Sequence, residues 1–144
     1  MKKQKFAIGA VLFWCVLAVS GTAWCGDNGN GTVTVNGLVW LKDAGCMGKM
    51  YWANAMPRSS RLAHGQCGLS DNSKIGDWRL PTIDELKAVY AYKGQFQAVK
   101  ADLYWSSSRY VGTLYFWGVV MDVGNVVGGN MYSHYYVWPV RAVQ

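Results

Sequence analysis

The segment "GDWRLPTIDEL", residues 76–86, constrains the fold of this 144-residue chain more than any other stretch. Thr82 stands three residues before Glu85, which is the spacing of a capping box. In that motif the threonine hydroxyl accepts a hydrogen bond from the Glu85 backbone N–H, and the glutamate carboxylate accepts one from the Thr82 N–H. Helical spacing of apolar residues follows and predicts a helix that ends at Gly94. Its buried stripe is predicted to be Ile83, Leu86, Val89 and Tyr90.

Residues around the capping box are assigned structural rather than chemical roles. Trp78 and Leu80 are expected to fill the core beside the helix entry, and Arg79 is expected to brace a neighbouring loop. Glu85 is interpreted as a helix cap rather than a catalytic acid. The residues with predicted structural roles are Trp78, Arg79, Pro81, Thr82, Glu85, Trp105 and Trp117.

The first 25 residues predict a secretory signal peptide. Three lysines precede an uncharged run at residues 6–20, and small residues follow it. The run is shorter than a membrane span, so the mature domain is expected to comprise residues 26–144 without a span. The predicted location is secreted, periplasmic or at the cell surface. A retained anchor with a lipid on Cys25 is the alternative.

Charge and length limit the function classes. The chain has 14 Lys and Arg against 8 Asp and Glu, and three of the lysines lie in the predicted signal. The mature part then carries a net charge of only +3, which argues against a nucleic-acid partner. Its length suffices for one domain with a single core.

Cys46 and Cys67 are the cysteines that remain in the predicted mature domain. Two cysteines in an exported domain of this size usually form a disulfide. The alternative is a zinc site, for which His64 is the nearby third ligand, but that set falls short of four ligands. The sequence therefore predicts a disulfide, no metal and no cofactor.

Two further elements are predicted in the first half. Residues 27–43 alternate as two strands around an Asn36-Gly37 hairpin turn. Their start also imitates a calcium loop, but Leu38 stands where the bidentate glutamate belongs, so a plain turn is preferred. Residues 48–65 predict a helix that Pro57 kinks or breaks. Its apolar stripe is predicted to be Trp52, Ala55, Met56, Ser59 and Leu62.

The last third predicts strand segments at residues 103–110, 114–127 and 135–143, with a turn at residues 122–125 inside the second and Pro139 marking an edge or bulged strand. Alternation assigns Trp117, Val119 and Met121 to the core side. Gly118, Val120 and Asp122 are then expected to face outward, and the intervening segments are interpreted as loops. Tyrosine, asparagine and serine in such loops are typical of adaptable contact surfaces. The candidate ligand-binding residues are Arg109, Tyr110, Thr113, Tyr115, Asn125, Asn130, Tyr132, Ser133, His134 and Tyr135.

Four blocks in order along the chain carry a family resemblance: "DNGNGTVTVNGLVWLKDAGC", "CGLSDNSKIGDWRLPTIDEL", "YWSSS" and "YVWPVRAV". Together they resemble the Lcl C-terminal domain family, named for a collagen-like bacterial adhesin. The resemblance implies an α+β, C-type-lectin-like fold. Two helices would pack on a small twisted antiparallel sheet, with the N- and C-terminal strands adjacent. It also implies a bond between Cys46 and Cys67.

Chemistry known elsewhere in C-type-lectin-like folds is not supported by the sequence. The calcium-binding triplets of sugar-binding lectins are absent, and no cysteine follows Cys67. His64 and His134 have no nucleophile or carboxylate at readable spacing, so we do not expect an enzyme.

The sequence therefore predicts an exported ligand-binding or adhesion module whose partner is a cell-surface protein or glycan. A structural or assembly subunit of the cell envelope, using the same aromatic face as an interface, is the alternative. The residues from Val126 onward, "VVGGNMYSHYYVWPVR", also resemble the variable tails of proteins diversified by retroelements. Diversification of this tail is a further hypothesis, and the oligomeric state is left open.

Overall fold

The structure, a computed structural model, describes residues 25–144, so the predicted signal peptide lies outside it except for Cys25. Two sheets and two helices form an α+β fold. The first sheet has the order β1-β2-β3-β9, and its neighbours pair antiparallel. Its strands are β1 (Cys25–Asp27), β2 (Thr32–Val35), β3 (Leu38–Leu41) and β9 (Val140–Ala142).

The second sheet has the order β4-β8-β5-β6-β7. The β5–β8 pair is parallel and the other pairs are antiparallel. Its strands are β4 (Lys49–Met50), β5 (Leu103–Arg109), β6 (Tyr115–Val120), β7 (Asn125–Asn130) and β8 (Tyr135–Tyr136). Two sheets replace the single antiparallel sheet that the sequence predicted.

Pro139 explains why the closing segment divides between two sheets. Proline has no backbone N–H and cannot continue a ladder on that side. The chain leaves β8 before Pro139 and enters the first sheet as β9 after it. The Pro139 carbonyl accepts a hydrogen bond from Leu41 N–H at 3.2 Å, which joins the crossing to β3. The predicted edge or bulge is therefore a crossover between sheets.

The N-terminal hairpin forms as predicted. Asn36 and Gly37 have φ values of 50° and 76°, the left-handed backbone that a two-residue hairpin turn of type I′ requires. On its other side β3 pairs with β9, with Leu38 opposite Ala142. The C-terminal strand thus lies against the N-terminal hairpin, beside β3 rather than β1.

The first helix, α1 (Trp52–Ser60), runs through Pro57 instead of breaking there. Proline removes one N–H, which would have bonded to the carbonyl of Ala53. Ala53 is exposed, so water can replace that partner. The predicted stripe is also shorter than expected: Met56 is 40% exposed, and Leu62 is buried but lies after the helix.

The second helix, α2 (Ile83–Tyr90), begins at the predicted capping box. Glu85 N–H donates to Thr82 Oγ1 at 3.3 Å, and Thr82 N–H donates to Glu85 Oε2 at 2.8 Å. The helix ends at Tyr90, four residues before the predicted end at Gly94, and a short 3-10 turn follows at Lys93–Gln95. Lys93 Nζ donates to the carbonyls of Met121 and Asp122, which holds this turn against the end of β6.

Both faces of the second sheet are covered, which the alternation argument did not anticipate. On one face Tyr104 and Val119 belong to the main core with Leu86 and Val89 of α2. On the other, Trp105 and Phe116 form a second core with Ala55 of α1. A sheet covered on both sides does not alternate between core and solvent. Gly118 was expected to face outward, but it is buried because it lies under the second core.

The connection between the helices is fastened at three points. The predicted disulfide joins Cys46 to Cys67, which excludes these two thiols as zinc ligands. Asp71 forms a buried ion pair with Arg141 of β9. Trp78 is buried in the main core. Arg79, expected to brace a neighbouring loop, instead forms two hydrogen bonds of 2.8 Å with Glu85 at the start of α2.

Candidate contact surface

The end of the second sheet brings two loops together. Tyr115 at the start of β6 pairs with Asn130 at the end of β7. Beyond that pair, Met131 N–H donates to the Leu114 carbonyl at 3.0 Å, and Tyr110 N–H donates to the Tyr115 carbonyl at 3.0 Å. Residues 110–114 and 131–134 therefore adjoin at one end of the molecule.

The loop at residues 110–114 is shaped by its own polar groups. Thr113 Oγ1 donates to the Tyr110 carbonyl at 2.9 Å and accepts from Tyr115 N–H at 3.2 Å. Both hydrogen-bonding functions of this hydroxyl are used to hold the turn. Val111 and Leu114 project from it and are 90% and 53% exposed.

An aromatic group lies next to this loop, on the face of the sheet that carries α2. Antiparallel partners share a face, so Tyr115, Trp117 and Gly128 lie on the same side. The Tyr110 ring packs edge-on against Trp117 with centroids 4.6 Å apart. Trp117, expected to lie in the core, is only half-buried, and its partner on β7, Gly128, has no side chain to cover it.

The loop at residues 131–134 is held in the same way. Asn130 Oδ1 accepts from Tyr132 N–H at 2.9 Å, and the Asn130 carbonyl accepts from Ser133 N–H at 2.9 Å. Asn130 thus closes a tight turn from the end of β7. The Tyr132 side chain is left 67% exposed at its tip.

A groove opens between this loop and the start of α1. The Tyr51 ring packs at a tilt of 38° against His134, with ring centroids 3.8 Å apart. Beside them is a groove of about 280 Å³ whose lining is Tyr51, Ala53, Asn54, Met131 and Tyr132. The sequence did not indicate Tyr51 as part of a site. No local signal could have done so, because its partner is more than 80 residues away.

We call the exposed side chains at this end the terminal surface. It includes five of the predicted binding residues, two residues next to them in the chain, and one residue from the start of α1. Arg109 supplies the positive charge of the terminal surface, and the other side chains are aromatic or aliphatic. Its members are Tyr51, Arg109, Tyr110, Val111, Leu114, Tyr115, Tyr132 and His134.

Three predicted binding residues are placed differently. Asn125 pairs with Val120 at the opposite end of β7 from Asn130, about 17 Å away at the usual rise per residue. Both asparagines belong to a strand, not to the loops that the sequence suggested. Tyr135 is half-buried, with its ring 4.8 Å from that of Trp105.

Within residues 25–144, no three His, Cys, Asp or Glu side chains lie close enough together to hold a metal ion. Within the same residues, no helix is long and apolar enough to cross a membrane.

These features define the class of protein: a disulfide-bonded α+β domain that presents an aromatic surface at one end. The sequence model of the Lcl C-terminal domain family matches residues 31–141, which is most of the chain. The protein therefore belongs to the Lcl C-terminal domain family.

Solved structures include chains that are similar to this protein. The adhesin InvE of Yersinia pseudotuberculosis is similar with a TM-score of 0.47 and 17% sequence identity. The aligned region covers 83% of this chain and 36% of the adhesin chain, so this protein spans about a third of the adhesin's length. A search of curated proteins found no match.

Proposed function

We propose that this protein is an adhesion-like binding module that holds its partner on the terminal surface. One observation carries the proposal: large apolar side chains from three separate segments are exposed together at one end of the fold. Tyr51, Val111 and Tyr132 are 41%, 90% and 67% exposed. Contiguous apolar side chains on the outside of a soluble domain mark interaction sites, because their exposure to water is unfavourable.

The chemistry of the terminal surface favours a protein partner. Tyrosine and arginine are the residues that most often dominate protein interfaces. Val111 and Leu114 add aliphatic groups that bury well against another apolar surface, whereas sugar rings stack on aromatic faces. Arg109 alone cannot make charge the main attraction. The binding screen described below distinguishes a protein partner from a glycan ligand.

The loops that carry the surface are already ordered by hydrogen bonds. Thr113 and Asn130 hold the two turns from within, so binding would order only exposed side chains. Preordered loops improve affinity because less conformational entropy is lost when the complex forms.

Membership of a family named for an adhesin supports the adhesion-like role. We further propose that the two sheets and two helices form the C-type-lectin-like arrangement typical of such domains. The Cys46–Cys67 disulfide supports export, since disulfides persist in oxidising compartments. Cleavage of residues 1–25 and display at the cell surface belong to the same proposal, and mass spectrometry of the exported protein tests the cleavage.

A binding screen with matched variants tests the proposal. The purified protein is tested against arrays of surface proteins and glycans, together with Tyr110→Ala, Tyr132→Ala and Ile75→Ala. Ile75 is 73% exposed but lies near the C-terminal end of α1, about 13 Å along the helix from Tyr51. It is therefore an exposed apolar control outside the terminal surface.

We expect Tyr132→Ala and Tyr110→Ala to weaken binding about tenfold or more, and Ile75→Ala to leave it unchanged. If the protein binds glycans on the arrays instead of proteins, the partner class changes but the terminal surface remains the proposed site. Equal binding by all variants would show that the site lies outside the terminal surface and would overturn the proposal.

Diversification of the tail by a retroelement is proposed as a separate hypothesis. The positions in question include the exposed Val126, Val127, Tyr132 and His134. Exposed positions can vary without disturbing the core. Sequencing of the gene's surroundings tests it: a near-identical template copy and a reverse transcriptase gene are expected, and their absence would contradict it.

A further inference from the structure

Strand β7 forms an unprotected edge of the second sheet. It is the last strand in the order β4-β8-β5-β6-β7, and within the described residues no strand pairs with its outer side. Its sequence, NVVGGN, contains neither charge nor proline, and its pairing with β6 runs in regular register over all six residues. Natural edge strands usually carry lysine, proline or a bulge that prevents a further strand from joining.

The backbone groups that face outward follow from the hydrogen-bond alternation. Met131 N–H donates to Leu114, so residues 131 and 114 form a hydrogen-bonded pair in the antiparallel register. Such pairs recur at every second residue, which turns residues 125, 127 and 129 toward β6. The N–H and C=O groups of Val126 and Gly128 therefore point away from the sheet.

The sequence of this edge is complementary to itself. When a second copy runs antiparallel about an axis at Val127, Val126 stands opposite Gly128 of the other copy. In the same register Asn125 meets Gly129, Asn130 meets Gly124, and Val127 meets its own counterpart. Residues that stand opposite each other share a face, as a continuous sheet requires. Each large side chain faces a glycine, except at the axis.

We propose that two copies of this protein join along β7 to form one continuous ten-stranded sheet. Val126 and Gly128 exchange their N–H and C=O groups with Gly128 and Val126 of the second copy. This forms four backbone hydrogen bonds across the axis. Val127, 38% exposed in the single chain, packs against its counterpart. A second copy fits better than an unrelated strand, because the repeat of large and small residues matches only when the sequence is reversed on itself.

Sedimentation velocity over a concentration series tests the association with two matched pairs of variants. Val127→Asp places two negative charges opposite each other at the axis, and Val127→Thr is its control of similar shape. Gly128→Pro removes an outward N–H without touching the β6 ladder. Gly128→Ala is its control, since a Cβ there meets its nearest atom, in Tyr115, at 3.6 Å.

The purified protein is expected to sediment as a dimer that dissociates on dilution. Val127→Asp and Gly128→Pro should each weaken the dimer at least about tenfold, and both controls should retain it. Tyr132→Ala, which tests the terminal surface, should not alter the dimer. This separates failure of the association from failure of the proposed function.

Cross-linking decides the register even if a charged variant fails to fold. Two Val127 Cα atoms in a non-hydrogen-bonded pair lie about 4.5 Å apart, within reach of a disulfide. Val127→Cys should therefore form a covalent dimer on oxidation, located by peptide mass mapping, whereas Val126→Cys should not. A protein that stays monomeric at every concentration, or equal cross-linking by the two variants, would overturn the proposal.

Discussion

The carboxylate of Asp71 accepts hydrogen bonds from Nε and Nη2 of Arg141, at 3.2 and 3.0 Å. The Asp71 side chain is fully buried and that of Arg141 is 8% exposed. The guanidinium also lies 5.3 Å from the Trp78 ring. This pair joins the long connection between the helices to the last strand, so the loop is fixed by a contact with the far end of the chain.

Replacing Arg141 by Met should lower the free energy of unfolding by about 3–5 kcal/mol, because it leaves a carboxylate buried without its partner. Lys42→Met is the matched control. It removes an ion pair with Asp27, whose side chain is 48% exposed, and should change stability by less than about 1 kcal/mol. Urea unfolding measures both. Equal effects of the two substitutions would contradict a special role for the buried pair.

Acid should destabilise the protein through carboxylates whose pKa is lowered by folding, and Asp71 and Glu85 are the least exposed of them in ion pairs. Burial raises the pKa of Asp71, but hydrogen bonds from Ser73 and Arg141 outweigh it and hold the pKa below its usual value. The Arg79 guanidinium, and then the Thr82 N–H, lower the pKa of Glu85. A carboxylate with a lowered folded pKa stabilises above its unfolded pKa, and this stabilisation is lost as pH falls through the folded value.

The free energy of unfolding should therefore be steady from neutral pH to about pH 5 and decline below about pH 4. Denaturant titrations across that range measure it. In Glu85→Gln the decline should be smaller, since one of the carboxylates with a lowered pKa no longer titrates. An identical acid profile in Glu85→Gln would show that this carboxylate does not contribute.

Gly129→Ala should destabilise the second core. A Cβ at this position would lie 2.5 Å from Trp105 Cζ3 and 2.8 Å from Leu103 Cδ2. The tryptophan ring is buried and cannot move away freely. We expect a loss of about 1–3 kcal/mol, typical of overpacking. Thermal unfolding compares it with Gly128→Ala, where a Cβ makes only ordinary contact with Tyr115 at 3.6 Å. Equal stability of the two variants would contradict the packing argument.

Removing the disulfide should lower stability by about 3 kcal/mol in the chain-entropy model. The bond closes a loop with a sequence separation of 21 residues between Cys46 and Cys67. The double variant Cys46→Ser/Cys67→Ser is compared with the oxidised protein by denaturant unfolding. Adding a reducing agent should lower the denaturant midpoint of the wild type and leave the midpoint of the double variant unchanged. A shift in both would indicate an effect unrelated to this bond.

The features that the sequence predicted well are local or chemically distinct. Asn36-Gly37 specifies its own turn, and Thr82 and Glu85 specify a helix start within four residues. The pairing of Cys46 with Cys67 followed from the small number of cysteines. Each of these depends on few neighbours, so the remainder of the fold does not alter it.

The features that the sequence missed depend on distant contacts. The second core covers the face that Gly118 was expected to expose, because α1 packs there from another part of the chain. Tyr51 reaches His134 only after the sheet has formed. Asn125 and Asn130 are close in sequence, yet an extended strand carries them to opposite ends of the sheet. Alternation within one strand cannot reveal what covers it.

Thr113 and Asn130 shape the two end loops with hydrogen bonds that involve only themselves and the main chain. Val111 and Tyr132 take no part in those bonds through their side chains. These projecting residues can therefore be substituted during evolution with little loss of folding stability, while the turns beneath keep their form. One framework of this kind can acquire new recognition specificities by substitutions at a few positions, without a matching change in its interior.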